Sequence, residues 1–196
     1  MTVTAHLLLW SFGLAAAETQ ISIDERQCLI RHAAAKRRPV EIGVWHGVSS
    51  SLIREAMAPD GILFLVDPFP PGRFGFSPQR IIAARQVSKV SNGSIRWLRA
   101  TGVEAAAIYR ASEPELPDFV FIDADHTYEA LRGDWGAWSP LVRKTGIVAL
   151  HDSCSSQSRN IDDAGSVRFT REVILLHSDF ERVEVVETLT VLRRRK

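Results

Sequence analysis

Three apolar runs in this sequence each close on an acid: "ILFLVD" on Asp67, "FVFID" on Asp123 and "GIVALHD" on Asp152. Two histidines accompany them, His126 three residues after Asp123 and His151 directly before Asp152. A carboxylate can accept the hydroxyls of a ribose or hold a divalent cation, and an imidazole can take a proton from a hydroxyl near neutral pH. A further stretch, "VEIGVWHGVSSS" at residues 40–51, sets Glu41 inside an apolar run and then places Gly43 and Gly47 around Trp45 and His46. Glycines after a strand let backbone and ligand approach closely, because no Cβ intervenes. The spacing Gly43-x-x-x-Gly47 differs from the Gly-x-Gly-x-x-Gly that cradles a dinucleotide pyrophosphate.

These residues need elements to position them. Strands are expected at 40–44, 62–67, 95–99, 118–123 and 146–152, and an almost unbroken apolar run such as 62–67 is of the kind that is covered on both faces. Helices are expected at 22–36, 50–57, 79–90, 103–110, 128–142 and 167–177, the first opened by a Ser22/Glu25 capping box. "FERVEVVETLTVLRRR" reads as two strands joined near Glu187-Thr188. The fold class is therefore α/β: a single Rossmann-like, doubly wound, mostly parallel seven-stranded sheet. A C-terminal antiparallel hairpin closes it, with helices on both faces. A helical segment at 1–21 precedes the main domain at 22–196. In such folds the carboxyl ends of the strands share one rim, where ligands bind at the topological switch point.

Composition narrows the function. The chain has 196 residues, 45% hydrophobic and 24% charged, with a net charge of +1. No whole-protein field draws it to nucleic acid or to a membrane surface. The basic runs at Lys36-Arg37-Arg38 and at 193–196 read as solvated charge. Cys28 and Cys154 give neither a disulfide framework nor metal spacing, consistent with a reducing cytoplasm. "AHLLLWSFGLAAAET" lacks the basic start of a signal peptide and reads as a helix packing on the domain or on a second copy in a homodimer.

Together, "VEIGVWHGVSSS", "LFLVDPF" and "FVFIDADHTYEALRGDWGAWSPLVRKTGIVALHD" resemble class I S-adenosylmethionine-dependent methyltransferases. The resemblance is to their small O-methyltransferase branch, the catechol and caffeoyl-CoA enzymes and relatives that tailor antibiotics and sugars. Trp45 stands where the common form of the family's first loop has its middle glycine.

The resemblance implies transfer of a methyl group from S-adenosylmethionine to a hydroxyl of a small molecule. Glu41, Gly43, Trp45 and Gly47 would shape the seat of the cofactor, Asp67 would hold its ribose, and Ala100 and Thr101 would border its adenine. Asp123 would lie beneath the transferred methyl. Asp123 and Asp152, with His151 in place of a third oxygen ligand and Ser153 a poorer one, would hold a divalent cation, Mg²⁺ foremost. His126 or His151 would be the base, and His46 could face substrate.

Other residues carry lesser expectations. Phe69, Phe74 and Phe76 could cover bound ligand, and Arg73, Arg159 and Arg168 could meet an acidic substrate. Trp135, Trp138 and Tyr128 read as packing. Two other readings stay open, an NAD-binding Rossmann oxidoreductase and a non-catalytic ligand-binding or assembly module of the same fold.

Overall fold

A computed structural model describes residues 3–72 and 75–195. Arg73 and Phe74 lie outside the described residues, with the expectations placed on them. The helices are α1 (Val3–Ser11), α2 (Ile23–Ala33), α3 (Val48–Ala56), α4 (Pro78–Ser88), α5 (Gly102–Ser112), α6 (Tyr128–Trp138) and α7 (Gly165–Glu172). The strands are β1 (Pro39–Ile42), β2 (Ile62–Val66), β3 (Ser94–Leu98), β4 (Phe119–Ile122), β5 (Ile147–Leu150), β6 (Phe180–Val186) and β7 (Leu189–Arg194).

The sheet order is β3-β2-β1-β4-β5-β7-β6, with β1 to β5 parallel and β7 antiparallel to both of its neighbours. This is the expected doubly wound sheet, with the hairpin at one edge. The period-2 alternation of side chains divides each central strand between two cores. Val40, Ile42, Phe64, Val66, Val120 and Ile122 join Tyr109, Trp135 and Trp138 from α5 and α6 on one face. Leu63, Leu65, Phe119, Phe121 and Ala149 join Leu29, Ile53 and Ala83 from α2, α3 and α4 on the other. Strands buried on both sides cannot alternate polar with apolar, which is why β1, β4 and β5 carry so few polar positions.

The caps follow the sequence. Ser22 and Glu25 form the expected box at the start of α2, and Thr101 with Glu104 forms a second one at the start of α5. The box at α2 has a second use. Glu25 Oε1 also accepts the Thr188 amide at 2.9 Å and the Thr188 hydroxyl at 2.7 Å, pinning the turn between β6 and β7 onto α2. Helix α1 forms as expected and packs along α4. Among the described residues, no helix is long and apolar enough to cross a membrane.

Candidate active site

The strand registers place the expected acids on one rim. Ile42 pairs with Val66 on one side and Ile122 on the other, and Ile122 pairs with Leu150. Gly43, Asp67, Asp123 and His151 therefore leave the sheet at one level, at the switch between β1 and β4. A cavity of about 350 Å³ opens there, within the range of small-ligand sites. Gly43, Trp45, His46, Asp67, Ala100, Asp123 and His126 all line it, with Ile42 and Val66 as apolar floor.

The loop after β1 is shaped by Asp67. Its Oδ2 accepts the amides of Val44 and Trp45, each at 3.1 Å, and its Oδ1 accepts the amide of Phe69 at 2.8 Å. A carboxylate offers about four acceptor positions, so three amides do not exhaust it. Trp45 takes a left-handed backbone, φ +46°, at the place where the common family loop carries glycine. Donation of its own amide to Asp67 helps hold that conformation. Gly47, φ +73°, does not reach the cavity. It begins α3, and a Cβ there would lie 3.0 to 3.2 Å from Val87 and Ala83, so it serves the packing of α3 on α4.

Glu41 also lies away from the cavity wall. It is fully buried and accepts the hydroxyls of Ser49 and Ser50 from the first turn of α3. Those serines thus tie α3 to the floor of the loop, and Ser49 reaches the cavity as well. Burial pushes the Glu41 carboxyl up to about 8, against the pull of the two hydroxyls, and the nearby Asp123 and Asp67 reinforce the rise.

A carboxyl with a folded pKa above its unfolded one loses stabilisation as pH climbs between the two. The window here runs from about 4.5 to about 8. The Glu41→Gln variant removes that ionisation while keeping the shape. It should match the parent near pH 5 and exceed it at pH 9, by an amount on the order of a few kcal/mol. Thermal unfolding at pH 5, 7 and 9 checks this; a difference that does not change with pH refutes it.

Behind the cavity, His151 joins three acids. Its Nδ1 lies 2.8 Å from Asp123 Oδ1 and 3.7 Å from Asp152 Oδ1, and its Nε2 lies 3.7 Å from Glu25 Oε2. Burial works against the charged imidazole, but bonding to Asp123 and the proximity of Glu25 and Asp152 lift its pKa to about 10. Glu25 responds in kind. Burial alone would raise its carboxyl, whereas His151, Thr188 and Ser22 bring it down to about 2. Asp152, φ +48°, has Oδ1 2.7 Å from Arg159 Nη1 and Oδ2 3.5 Å from His126 Nε2.

This arrangement does not fit a hydrated divalent cation. The Asp152 side chain is 3% exposed and absent from the cavity wall, and Arg159 already neutralises it. The His151 ring is 1% exposed, and its Nδ1 is engaged by Asp123. Mg²⁺ retains several waters and needs open carboxylate oxygens. An imidazole bonded to Asp123 and a guanidinium bonded to Asp152 stand here among the acids that were expected to share an ion. Ser153, the expected poorer ligand, donates instead to Thr188 O and Thr190 Oγ1 in the core.

Several expectations take a different form in space. Thr101 lies outside the cavity wall, its hydroxyl engaged with Glu104, and Gly102 lines the cavity in its place. Phe69 is a core residue packed against Trp97, and Phe76 is exposed beside a separate cleft. Arg159 bonds Asp152, and Arg168 lies over the Tyr128 ring. Cys28 is buried, and Cys154 donates to Glu187 O. Trp135 and Trp138 are buried as expected.

The sequence reading missed one wall of the cavity. Glu18, Thr19, Gln20 and Ile21 form it, as an extended strap between α1 and α2. Arg159 Nη2 reaches Gln20 Oε1 at 3.4 Å, tying the strap to Asp152. Nothing in the polar stretch "ETQ" predicts this, because it depends on where the preceding helix docks.

Comparison with known proteins matches residues 40–153 to a family described as a methyltransferase domain. The chain belongs to this methyltransferase domain family. The match runs from β1 through β5 and so contains the loop after β1, Asp67, Asp123 and Asp152. No curated protein matches the chain.

Solved structures share its fold at low identity. The O-methyltransferase TomG of Streptomyces achromogenes, involved in tomaymycin synthesis and solved with SAM, is 18% identical. The alignment covers 98% of this chain and 88% of TomG, with a TM-score of 0.70. An O-methyltransferase from Bacillus cereus in complex with SAH is 15% identical, over 99% of this chain and 90% of that one, with a TM-score of 0.65. The N-methyltransferase NodS of Bradyrhizobium japonicum, also with SAH, is 12% identical over 99% and 97%, with a TM-score of 0.61. Oxygen and nitrogen acceptors both occur on this fold, so the methyl acceptor must be read from the site.

Proposed function

We propose that this methyltransferase uses S-adenosylmethionine to methylate a hydroxyl of a small molecule, with His126 as the base and without a divalent cation at Asp123 and Asp152. The observation that carries the reading is the convergence of Asp67, Asp123 and His126 on one cavity at the switch point. When bound, S-adenosylmethionine supplies an electrophilic methyl carbon on a sulfonium. Asp67, at the tip of β2, would accept a ribose hydroxyl with the one acceptor position its three amides leave free. Ile42, Val66 and Ala100 give the cavity apolar walls, while Asp123 offers negative charge close to where a sulfonium would lie.

On this reading the acceptor oxygen would attack with a lone pair, the carbon–sulfur bonding pair would stay on sulfur, and the hydroxyl proton would pass to His126 Nδ1, the ring nitrogen that does not face Asp152. The His126 side chain is 40% exposed, and its Nε2 faces Asp152 Oδ2, which holds the ring for that transfer. Most of the acceleration on this reading comes from holding oxygen, carbon and sulfur in line.

Calorimetry should show S-adenosylhomocysteine binding and no binding of NAD. With a panel of catechol and phenol acceptors, the rate of S-adenosylhomocysteine formation should not respond to added Mg²⁺. NAD binding would overturn the transferase reading. A Mg²⁺-dependent rate would overturn only its cation-free part.

A further inference from the structure

Two buried histidines meet at the N-terminal side of the cavity, one from α1 and one from the loop after β1. His6 is 5% exposed and His46 2% exposed, and their rings stack with centroids 5.0 Å apart. Neither nitrogen of His6 makes a hydrogen bond, and His46 Nε2 makes none either. Buried polar atoms left without partners are uncommon and call for a reason.

The carboxylate of Glu18 lies beside both rings, with His6 Nδ1 3.2 Å from Oε1 and His46 Nδ1 3.9 Å from Oε2. One ligand atom from each of the three residues falls within 4.8 Å of the other two. His46 Nδ1 accepts the Glu18 amide at 3.0 Å, so this nitrogen carries the lone pair and the proton sits on Nε2.

We propose that His6, Glu18 and His46 form a binding site for a divalent transition-metal ion of the Zn²⁺ class. Two imidazoles and one carboxylate suit Zn²⁺ far better than Mg²⁺, which prefers oxygen and keeps its waters. Ligand bonds of about 2.0–2.2 Å place the donor atoms of a tetrahedral site roughly 3.4 Å apart. His6 and Glu18 are already that close, so loading draws His46 in by at most about 1 Å. The ion replaces the Glu18 amide proton at His46 Nδ1, and the two rings splay from their stack.

The consequence is mechanical. Glu18 and His46 both line the cavity, while His6 belongs to the helix before the strap. A bound ion would fasten α1 and the strap to the loop after β1, completing the cavity wall that the strap provides. This inference does not depend on methyl transfer.

Among the described residues one other group has metal-compatible spacing, Cys28, His32 and Glu184. Its carboxylate is already paired, with Arg31 at 2.6 Å and His32 at 2.8 Å, and burial raises the Cys28 thiol to about 12. It serves as the control.

The test uses the full chain without a histidine tag, stripped with chelator and titrated calorimetrically with ZnCl2. One ion per chain is expected, with a rise in Tm, and MgCl2 should give neither. His6→Gln and Glu18→Gln should each weaken Zn²⁺ at least about tenfold and erase the Tm rise. His32→Gln should leave both readings unchanged. Glu18 is partly exposed, so its variant tests the site even where a buried histidine variant fails to fold. Absence of Zn²⁺ binding, binding unchanged in both site variants, or loss of binding in His32→Gln would each overturn the proposal.

Discussion

The Gly43→Ala variant should unfold about 4–20 °C below the parent and should fail to bind S-adenosylhomocysteine. Two costs combine at this position. Gly43 has φ +90°, where an L-residue is strained by about 1–2 kcal/mol. An added Cβ would also lie 2.1 Å from the Asp123 carbonyl oxygen and 2.7 Å from the Ala124 nitrogen. Those are backbone atoms at the end of β4, so no side-chain rotation relieves the overlap. Overpacking of this kind costs about 1–3 kcal/mol or more.

A total of about 2–5 kcal/mol would be large for one methyl group. At about 2–4 °C per kcal/mol for a chain of this size, it gives the stated fall in Tm. The overlap also pushes the loop after β1 away from β4, opening the cavity between them. Gly136, in α6, is the matched control, since a Cβ there meets nothing within 4 Å. Its alanine variant should gain about 0.5–1 kcal/mol, as expected for a glycine inside a helix. Equal Tm values for the two variants would show that the approach of β1 to β4 is not what requires Gly43.

His126→Ala should lower kcat by about 10²–10⁴, the usual contribution of a positioned general base. Affinity for S-adenosylhomocysteine should stay within about threefold of the parent, because the side chain acts on the acceptor's proton. Its exposure favours a clean result: a partly solvated imidazole can be truncated without opening a hole in the core. Asp152→Asn keeps the shape of the orienting group and removes its charge, so it should fall between the parent and His126→Ala. Initial rates and calorimetry on the same preparations make the comparison. A His126→Ala enzyme with undiminished kcat would transfer the base role to Asp123, the other ionisable cavity residue among those expected to be catalytic.

Both predictions rest on features the sequence displayed in different degrees. The acids were legible because apolar runs ending in Asp67, Asp123 and Asp152 are what buried parallel strands look like, and parallel strands share one rim. The Ser22/Glu25 box and the hairpin at Glu187-Thr188 were legible because caps and turns are contacts between near neighbours. Glycine was legible at position 43, but its strongest reason was hidden. The atom it must avoid belongs to Asp123, 80 positions along the chain, on the strand that chain return places beside β1.

The same distance in sequence hid the partner of nearly every polar group at the site. Glu25 reads as a cap, yet it also faces His151 and holds Thr188. Asp152 reads as a ligand facing outward, but Arg159 bonds it and the cavity wall omits it. Thr101 reads as a cavity residue, and its own helix occupies its hydroxyl. His6 and Glu18 carry no signal at all until α1 docks on α4 and brings them to His46. Side-chain type and spacing limit what a residue can do, because period and capping are local. Which lone pair remains free is settled by non-local packing, where a neighbour from another element either takes that lone pair or leaves it open to the cavity.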